Sequence, residues 1–207
     1  MNYYDYKRFI GNMPALDHLL TEIRTCKVCE ENLPLGARPV VSAQTSAKIM
    51  IIGQAPGTKV HASGVPWDDA SGQRLREWMG VDKETFYDTS KIAIMPMGFC
   101  YPGRGKGGDL PPRVECAPLW HERLLEQLPD LVLTLLIGQY AQKYYLGKQR
   151  KKNLTETVRA YHEYQPDYFP LVHPSPRNLM WQRKNLWFED EVVPALQAVV
   201  KKLLTNM

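Results

Sequence analysis

The sequence has no long apolar run, no repeat and no strong excess of charge of either sign. Its longest apolar stretch, residues 131–137, is interrupted by Thr134 and falls far short of the roughly 20 residues that span a membrane. Residues 1–7 lack the basic region and the apolar segment of a secretion signal. These absences predict a cytoplasmic protein that does not enter membranes, and they argue against a disulfide framework.

The basic residues are unevenly placed, although the net charge is only +4. Many of them lie in or beside segments that we interpret as loops or helix starts, namely Arg104, Lys106, Lys148, Arg150, Lys151, Lys152, Arg177, Arg183 and Lys184. A solvated surface is one explanation, and it suits residues 148–152 best. Basic loops near one edge of a sheet would instead bind a polyanion such as nucleic acid.

Strand and helix patterns alternate along the chain. Apolar segments predict four strands, at residues 48–52, 91–95, 131–137 and 168–172. Helices are predicted at residues 15–25, 72–79, 111–128, 139–146 and 188–204. The second helix is expected to have Ser71 as its N-cap and to end at Gly80. The third is expected to open at Pro111 and Pro112, and Pro194 is expected to kink or restart the last. This alternation predicts an α/β protein with a parallel sheet covered on both faces, in a single domain over residues 1–207.

Two short motifs each follow a predicted strand. Gly53-Gln54-Ala55-Pro56-Gly57 comes directly after residues 49–52, and His173-Pro174-Ser175-Pro176 comes directly after residues 168–172. Turns at the carboxyl ends of parallel strands meet in one crevice, where ligands bind. The sequence therefore predicts an active site made of a glycine-rich backbone loop and a lone histidine.

The cysteines form the pattern Cys26-X2-Cys29 and Cys100-X15-Cys116. All four lie in or next to polar or irregular segments, and none lies in a predicted strand. Four thiolates suit either tetrahedral zinc or an iron–sulfur cluster, and the spacing does not decide between these metals. Four unrelated buried thiols are the alternative interpretation.

Taken together, these features resemble the uracil-DNA glycosylase superfamily and, within it, the iron–sulfur branch called family 4. The glycine loop, the segment Ser63-Gly64-Val65-Pro66-Trp67, the cysteine spacing and the histidine motif follow the order of that family over about residues 16–200. The resemblance implies a three-layer αβα sandwich around a four-stranded parallel sheet. It also implies a structural 4Fe-4S cluster on the four cysteines, with zinc less favoured. The implied activity is monofunctional excision of uracil or another deaminated base from DNA, by a monomer.

The resemblance assigns roles to residues of the motifs. His173 would donate a hydrogen bond to the departing base, and Trp67 would stack on the base once it has left the duplex. Gln54 stands where iron–sulfur members carry a glutamate; an amide cannot act as a base but can orient a water. His61, Asp68 and Asp69 are the alternatives for activating that water. Other residues expected to contact the base or the DNA are Gly53, Ala55, Pro56, Gly57, Ser175, Arg177 and Asn178, with Leu179 or Met180 as an apolar wedge.

Pro96 departs from the family pattern. Iron–sulfur members have an asparagine at this position, and its amide reads the edge of the pyrimidine. Backbone groups of Met97 and Gly98 would have to replace it, or the pocket would accept another base such as hypoxanthine. Two other functions therefore stay open. One is a cluster-bearing DNA-binding protein without catalysis; the other, disfavoured by the basic loops, is an N-glycosidase of nucleosides.

Overall fold

A computed structural model describes residues 15–205 of the chain. Its centre is a parallel sheet with the strand order β2-β1-β5-β6. The four strands are β1 at Ile49–Ile52, β2 at Ile92–Ile94, β5 at Leu133–Ile137 and β6 at Tyr168–Leu171. Each lies inside a segment that the sequence predicts as a strand, so the predicted four-stranded parallel sheet is confirmed.

Successive side chains of a strand point to opposite faces of the sheet. In β1, Ile49 and Ile51 pack into one apolar core, whereas Met50 and Ile52 pack into a second core on the other face. Helices cover both faces, and for this reason the strands contain almost no polar residues. The three-layer αβα sandwich is confirmed.

Nine α-helices surround the sheet within residues 15–205. They are α1 Ala15–Arg24, α2 Thr58–Ser63, α3 Ala70–Met79, α4 Lys83–Tyr87, α5 Glu122–Leu125, α6 Gln139–Leu146, α7 Leu154–Arg159, α8 Leu179–Lys184 and α9 Val193–Thr205. π-helical turns at Ala117–His121 and Phe188–Val192 precede α5 and α9. α1 packs on the Met50 face, and α3 and α9 pack on the Ile49 face. None of these helices is long and apolar enough to cross a membrane.

Two predictions about helix starts are wrong. The N-cap of α3 is Asp69 and not Ser71, because the Asp69 side chain accepts a hydrogen bond from the N–H of Gly72. Pro111 and Pro112 do not open a helix, since helical structure in this segment begins only at Cys116. A residue that precedes a proline is pushed away from the helical conformation, and Pro111 is such a residue. Pro194 is the second residue of α9 and directly follows the π turn at Phe188–Val192, so the helical pattern changes at this proline.

The sequence does not predict a short antiparallel hairpin in the loop after β2. It consists of β3 (Arg104–Gly105) and β4 (Gly108–Asp109), with Arg104 paired to Asp109 and Gly105 to Gly108. The loops that leave β1, β2, β5 and β6 all lie at the carboxyl edge of the sheet. The hairpin belongs to the loop after β2 and stands at the same edge.

Candidate active site

The carboxyl edge of the sheet carries a cavity of about 690 Å³. Its walls come from the loops after β1, β2, β5 and β6 and from the β3–β4 hairpin. The sequence-predicted site residues that line it are Gly53, Gln54, Ala55, Pro56, Gly57, Trp67, Asp69, His173, Ser175, Arg177 and Asn178. The two motifs, which are more than a hundred residues apart in sequence, therefore share one cavity.

Trp67 is fixed between two glycines. A Cβ atom at Gly53 would lie 2.7 Å from Cζ2 of the Trp67 ring, so the ring rests directly on the backbone where β1 ends. A Cβ atom at Gly72, in the first turn of α3, would clash with the carbonyl oxygen of Trp67. The Tyr87 hydroxyl also donates to the carbonyl oxygen of Pro66 at 3.0 Å. Trp67 has a φ of +58°, a conformation that a bulky residue keeps only where its surroundings enforce it.

The imidazole of His173 faces Trp67, with 5.5 Å between the two ring centroids. The backbone N–H of Ser175 donates to Nδ1 of His173 at 3.1 Å, so the hydrogen of the neutral ring is on Nε2. Burial lowers the pKa of His173 to about 4, although the negative charge of Asp69 opposes this shift. The Asn178 amide donates to the carbonyl oxygen of His173 at 2.7 Å and fixes the loop. His173 is thus a positioned, neutral hydrogen-bond donor at pH 7.

The Gln54 amide is anchored at one end. Its Nε2 donates to the carbonyl oxygen of Leu110 at 2.8 Å, at the base of the hairpin. Oε1 is left as an acceptor on a residue that lines the cavity. A water in the cavity can therefore donate to Oε1, but Gln54 cannot remove a proton from it.

Met97 and Gly98 do not line the cavity. Their N–H groups donate to the carbonyl oxygens of Gly53, at 2.9 Å, and Gln54, at 3.0 Å. These donors hold the loop after β2 against the loop after β1, so they are already used when a base enters. Pro96, at the position that departs from the family pattern, does line the cavity.

A buried histidine that sequence reasoning missed supports the Pro96 loop. His121 ends the π turn, and only 1% of its surface is exposed. Its Nε2 lies 3.2 Å from the Pro96 carbonyl oxygen, and its Nδ1 lies 2.7 Å from the Tyr145 hydroxyl. Because a carbonyl only accepts, Nε2 carries the hydrogen and Nδ1 accepts from Tyr145. Burial lowers the pKa of His121 to about 4, so this ring is neutral as well.

The three candidates for activating a water are placed differently. Asp69 lines the cavity, and its carboxylate also caps α3 through the Gly72 N–H at 2.8 Å. Asp68 and His61 do not line it. The His61 ring lies 6.2 Å from the Tyr101 ring, and its Nδ1 is buried without a hydrogen-bond partner among the described residues.

The β3–β4 hairpin forms a wall of the cavity through Gly107, Gly108 and Asp109. A Cβ atom at Gly108 would clash with the guanidinium of Arg177, so that side chain packs directly on the hairpin backbone. The Asp109 carboxylate lies 3.5 Å from where a Cβ atom of Gly57 would be. The glycine-rich segment 103–108 signals a turn, but strands of two residues are too short to show a period in sequence.

The four cysteines come from two parts of the chain. Cys26 and Cys29 follow α1, Cys100 lies in the loop after β2, and Cys116 begins the helical segment before the π turn. All are free thiols, and three of them are buried. Burial, together with a smaller effect of the other cysteines, raises the pKa of Cys100 to about 12 and that of Cys116 to about 11. Cys29 and Cys100 also pack in one buried cluster, which joins the segment after α1 to the loop after β2.

Their chemistry suits a metal centre, because thiolates bind both zinc and iron–sulfur clusters. Within residues 15–205, no three His, Cys, Asp or Glu side chains converge closely enough to hold one metal ion. Zinc–sulfur bonds of about 2.3 Å would require four thiolates within about 4 Å of one another. In a 4Fe-4S cluster each thiolate binds a different iron, so the sulfurs stand farther apart. Four thiols supply the donors that such a cluster needs.

A parallel α/β sheet that holds a neutral histidine and a fixed tryptophan in one cavity at its carboxyl edge defines an enzyme whose site can take a planar ring. Residues 40–197 match the family model of the Uracil DNA glycosylase superfamily. The chain belongs to this superfamily, and it is therefore a DNA N-glycosylase by class.

Two named relatives agree with this assignment. The chain is 24% identical to the Type-4 uracil-DNA glycosylase of Sulfurisphaera tokodaii over 175 residues, which cover 79% of this chain and 76% of the relative. It is also 24% identical to the enzyme of the same name from Saccharolobus solfataricus over 182 residues, covering 79% and 77% of the two chains. A solution NMR structure of a Methanosarcina acetivorans protein assigned to the uracil DNA glycosylases matches 80% of this chain and 98% of its own, with 15% identity and a TM-score of 0.44. The similarity to the iron–sulfur branch that the motifs indicate is confirmed by the first two.

Proposed function

We propose that this protein removes uracil or another deaminated base from DNA as a monofunctional N-glycosylase. The observation that carries the proposal is the neutral His173, whose Nε2–H shares a cavity with the fixed ring of Trp67. Cleaving an N-glycosidic bond builds negative charge on the departing base and positive charge on the sugar. An active site for this reaction needs a donor for the base and an anionic environment for the sugar.

The base side of the reaction rests on His173 and Trp67. The target nucleotide leaves the duplex stack, and its base stacks on Trp67, which recovers about 1–3 kcal/mol. The Nε2–H of His173 then donates to the carbonyl oxygen on which charge develops. A donor that is already oriented needs no reorganisation during the reaction, and removing such a donor typically lowers kcat by about 10²–10³.

The sugar side rests on Asp69 and Gln54. The Asp69 carboxylate lines the cavity, and its charge is close enough to act on His173. It stabilises the cationic sugar, and Oε1 of Gln54 orients the attacking water. Because an amide accepts no proton, the water attacks after the bond to the base has broken, when it needs little activation.

The loop after His173 is the element that we assign to the opened duplex. Arg177 and Asn178 line the cavity, and Leu179 and Met180 follow with 38% and 61% of their surfaces exposed. An exposed apolar side chain beside the cavity can fill the space that the flipped base leaves in the stack. Arg177 remains free to contact a flanking phosphate.

Cys26, Cys29, Cys100 and Cys116 would hold a 4Fe-4S cluster. When bound, the cluster supplies a covalent tie between the end of α1 and the loop after β2, and no electron for the reaction. The same loop carries Pro96 and the hairpin, so the tie would steady one wall of the cavity. The cluster is thus structural in this proposal.

We also expect relaxed selection among bases. The Pro96 ring offers no hydrogen bond, and the N–H groups of Met97 and Gly98 are already engaged. The β2 side of the cavity therefore lacks a group that would read a pyrimidine edge. Hypoxanthine or xanthine would be accepted alongside uracil.

The test uses single- and double-stranded oligonucleotides that carry uracil, hypoxanthine or xanthine, followed by alkaline cleavage at abasic sites. Excision of at least one base is expected. His173→Ala and His173→Asn should each slow single-turnover excision about 10²–10³-fold. His173→Gln, whose Nε2 can approach the position of the imidazole Nε2, should lose less. His162→Ala is the matched control, because His162 is exposed and does not line the cavity.

Three results would contradict the proposal. Excision unchanged in His173→Ala would remove the role of the histidine. Tight DNA binding without excision of any base would favour the non-catalytic DNA-binding protein, which Gln54 and Pro96 suggest. Cleavage of free nucleosides but not of DNA would favour the nucleosidase.

A further inference from the structure

We propose that the β3–β4 hairpin is a phosphate-binding flap, in which Arg104 and Lys106 contact the DNA backbone beside the flipped nucleotide. The inference rests on DNA being the substrate, as proposed above, and it adds a binding element that the motifs do not contain. The hairpin stands at the mouth of the cavity, since its turn residue Gly107 and the two β4 residues Gly108 and Asp109 line the wall.

The hairpin is held to the site at its base. The N–H of Leu110 donates to the carbonyl oxygen of Gly103 at 2.8 Å and closes the loop. The carbonyl oxygen of Leu110 in turn accepts the Gln54 amide at 2.8 Å. A side chain that we place beside the attacking water therefore anchors the hairpin, and the position of the flap is fixed relative to the reacting bond.

Arg104 and Lys106 are the two basic residues of the hairpin. Both are exposed, and within the described residues neither makes an ion pair. Some surface cations are paired, such as Lys151 with Glu163 and Arg123 with Glu22, while others within the described residues, such as Lys148 and Arg150, are not. Arg104 and Lys106 differ from those unpaired cations in belonging to the hairpin whose residues line the cavity. Asp109, the cross-strand partner of Arg104, lines the cavity and forms no ion pair with it. Two unneutralised cations on an exposed hairpin beside an active site suit a polyanion.

Arg177, from the loop after β6, adds its charge to the same positive surface. Its guanidinium packs against the backbone of Gly108, where any side chain would collide with it. At Gly107, by contrast, a Cβ atom would meet nothing within 4 Å, so a phosphate can approach the hairpin backbone closely there. The hairpin and the Arg177 loop thus form one basic rim around the cavity, which fits the phosphates on both sides of an extruded nucleotide.

The salt dependence of DNA binding tests this assignment. The logarithm of the DNA-binding constant falls linearly with the logarithm of the salt concentration. Each phosphate contact that is lost makes this slope shallower by about 0.9 on duplex DNA. The probe is a fluorescein-labelled duplex with one tetrahydrofuran abasic analogue, which cannot be cleaved, titrated at several salt concentrations. The double variant Arg104→Ala/Lys106→Ala should make the slope shallower by about 1–2. It should also weaken binding several-fold at low salt.

Lys148→Ala/Arg150→Ala is the matched control. It removes the same charges from exposed residues that follow α6, a helix that begins at the cavity edge and runs about 12 Å away from it. Its slope should equal that of the unmodified protein. A hairpin variant with an unchanged slope, while the unmodified protein binds the duplex, would overturn this inference and leave the proposed function standing. No binding of this duplex or of its labelled strand alone by the unmodified protein would overturn both. Equal melting temperatures of the variants show that any loss is a loss of contact.

Discussion

Replacing Gly53 by alanine should misplace the tryptophan on which the base is proposed to stack. The new Cβ atom would lie 2.7 Å from Cζ2 of Trp67, whereas carbon atoms in contact are about 3.5–4.0 Å apart. The ring must therefore move by about 1 Å. The Trp67 backbone cannot move with the ring, because the Trp67 carbonyl group already contacts Gly72. A displacement of this size at a reacting centre costs up to about 10² in rate, so single-turnover excision should fall by about that factor.

A double-mutant cycle separates this displacement from a general loss of stability. Trp67→Phe removes the outer ring atoms, including Cζ2 and Cη2, that Gly53→Ala would meet. On its own it should weaken stacking and slow excision modestly. The double variant should then be no slower than Trp67→Phe alone, within about threefold, because the collision has been removed. Multiplicative losses would show that Gly53 does not act through the Trp67 ring, and would refute the reasoning.

Two further predictions concern the buried histidine and the cysteines. Burial lowers the pKa of His121 to about 4, so the unfolded chain takes up its proton first as the pH falls. As the pH falls from 6.5 to about 4, the free energy of unfolding should therefore drop by up to about 1.4 kcal/mol per pH unit because of this group. Chemical denaturation of His121→Phe should show a smaller drop over the same range. A drop equal to that of the unmodified protein would contradict the assignment. Purified protein should absorb near 400 nm and contain about four irons. Cys100→Ala should lose both the absorbance and the iron. Val28→Ala is the control and should keep both, because Val28 is an exposed residue between Cys26 and Cys29. Stoichiometric zinc without iron would rule out the cluster.

The strands and the shared cavity can be predicted from the sequence, because they follow from the pattern of apolar residues and from the order of strands and motifs along the chain. Residues 49–52 are apolar on both faces, and that pattern reports a buried parallel strand. Once the sheet is parallel, the loops that carry Gly53 and His173 must lie at the same edge. Neither conclusion needs knowledge of a side-chain contact.

The parts that escape prediction depend on local competition or on long-range contacts. Both Asp69 and Ser71 are good N-cap residues, and the sequence does not decide between them; in the structure Asp69 accepts the hydrogen bond from the N–H of Gly72. The contact between His121 and Pro96 joins residues 25 positions apart through a π turn, which has no sequence signal of its own. The hairpin is similar, since its two strands pair with each other and its base is held by the Gln54 amide, without an apolar pattern in the sequence.

The two departures from the family pattern share one structural consequence. Gln54 uses its amide to anchor the hairpin, and the carbonyl group of Pro96 is held by the buried His121. At both positions, where iron–sulfur members carry residues that act on the base or the water, this chain has residues that fix the loop after β2. That loop in turn brings Gly107, Gly108 and Asp109 into the cavity wall. The groups that distinguish one substrate from another should therefore be sought on the hairpin and its neighbours rather than at the two motif positions. A Gln54→Glu change should thus disturb the hairpin, because a carboxylate cannot donate to Leu110, and is not expected to restore the activity of a family glutamate.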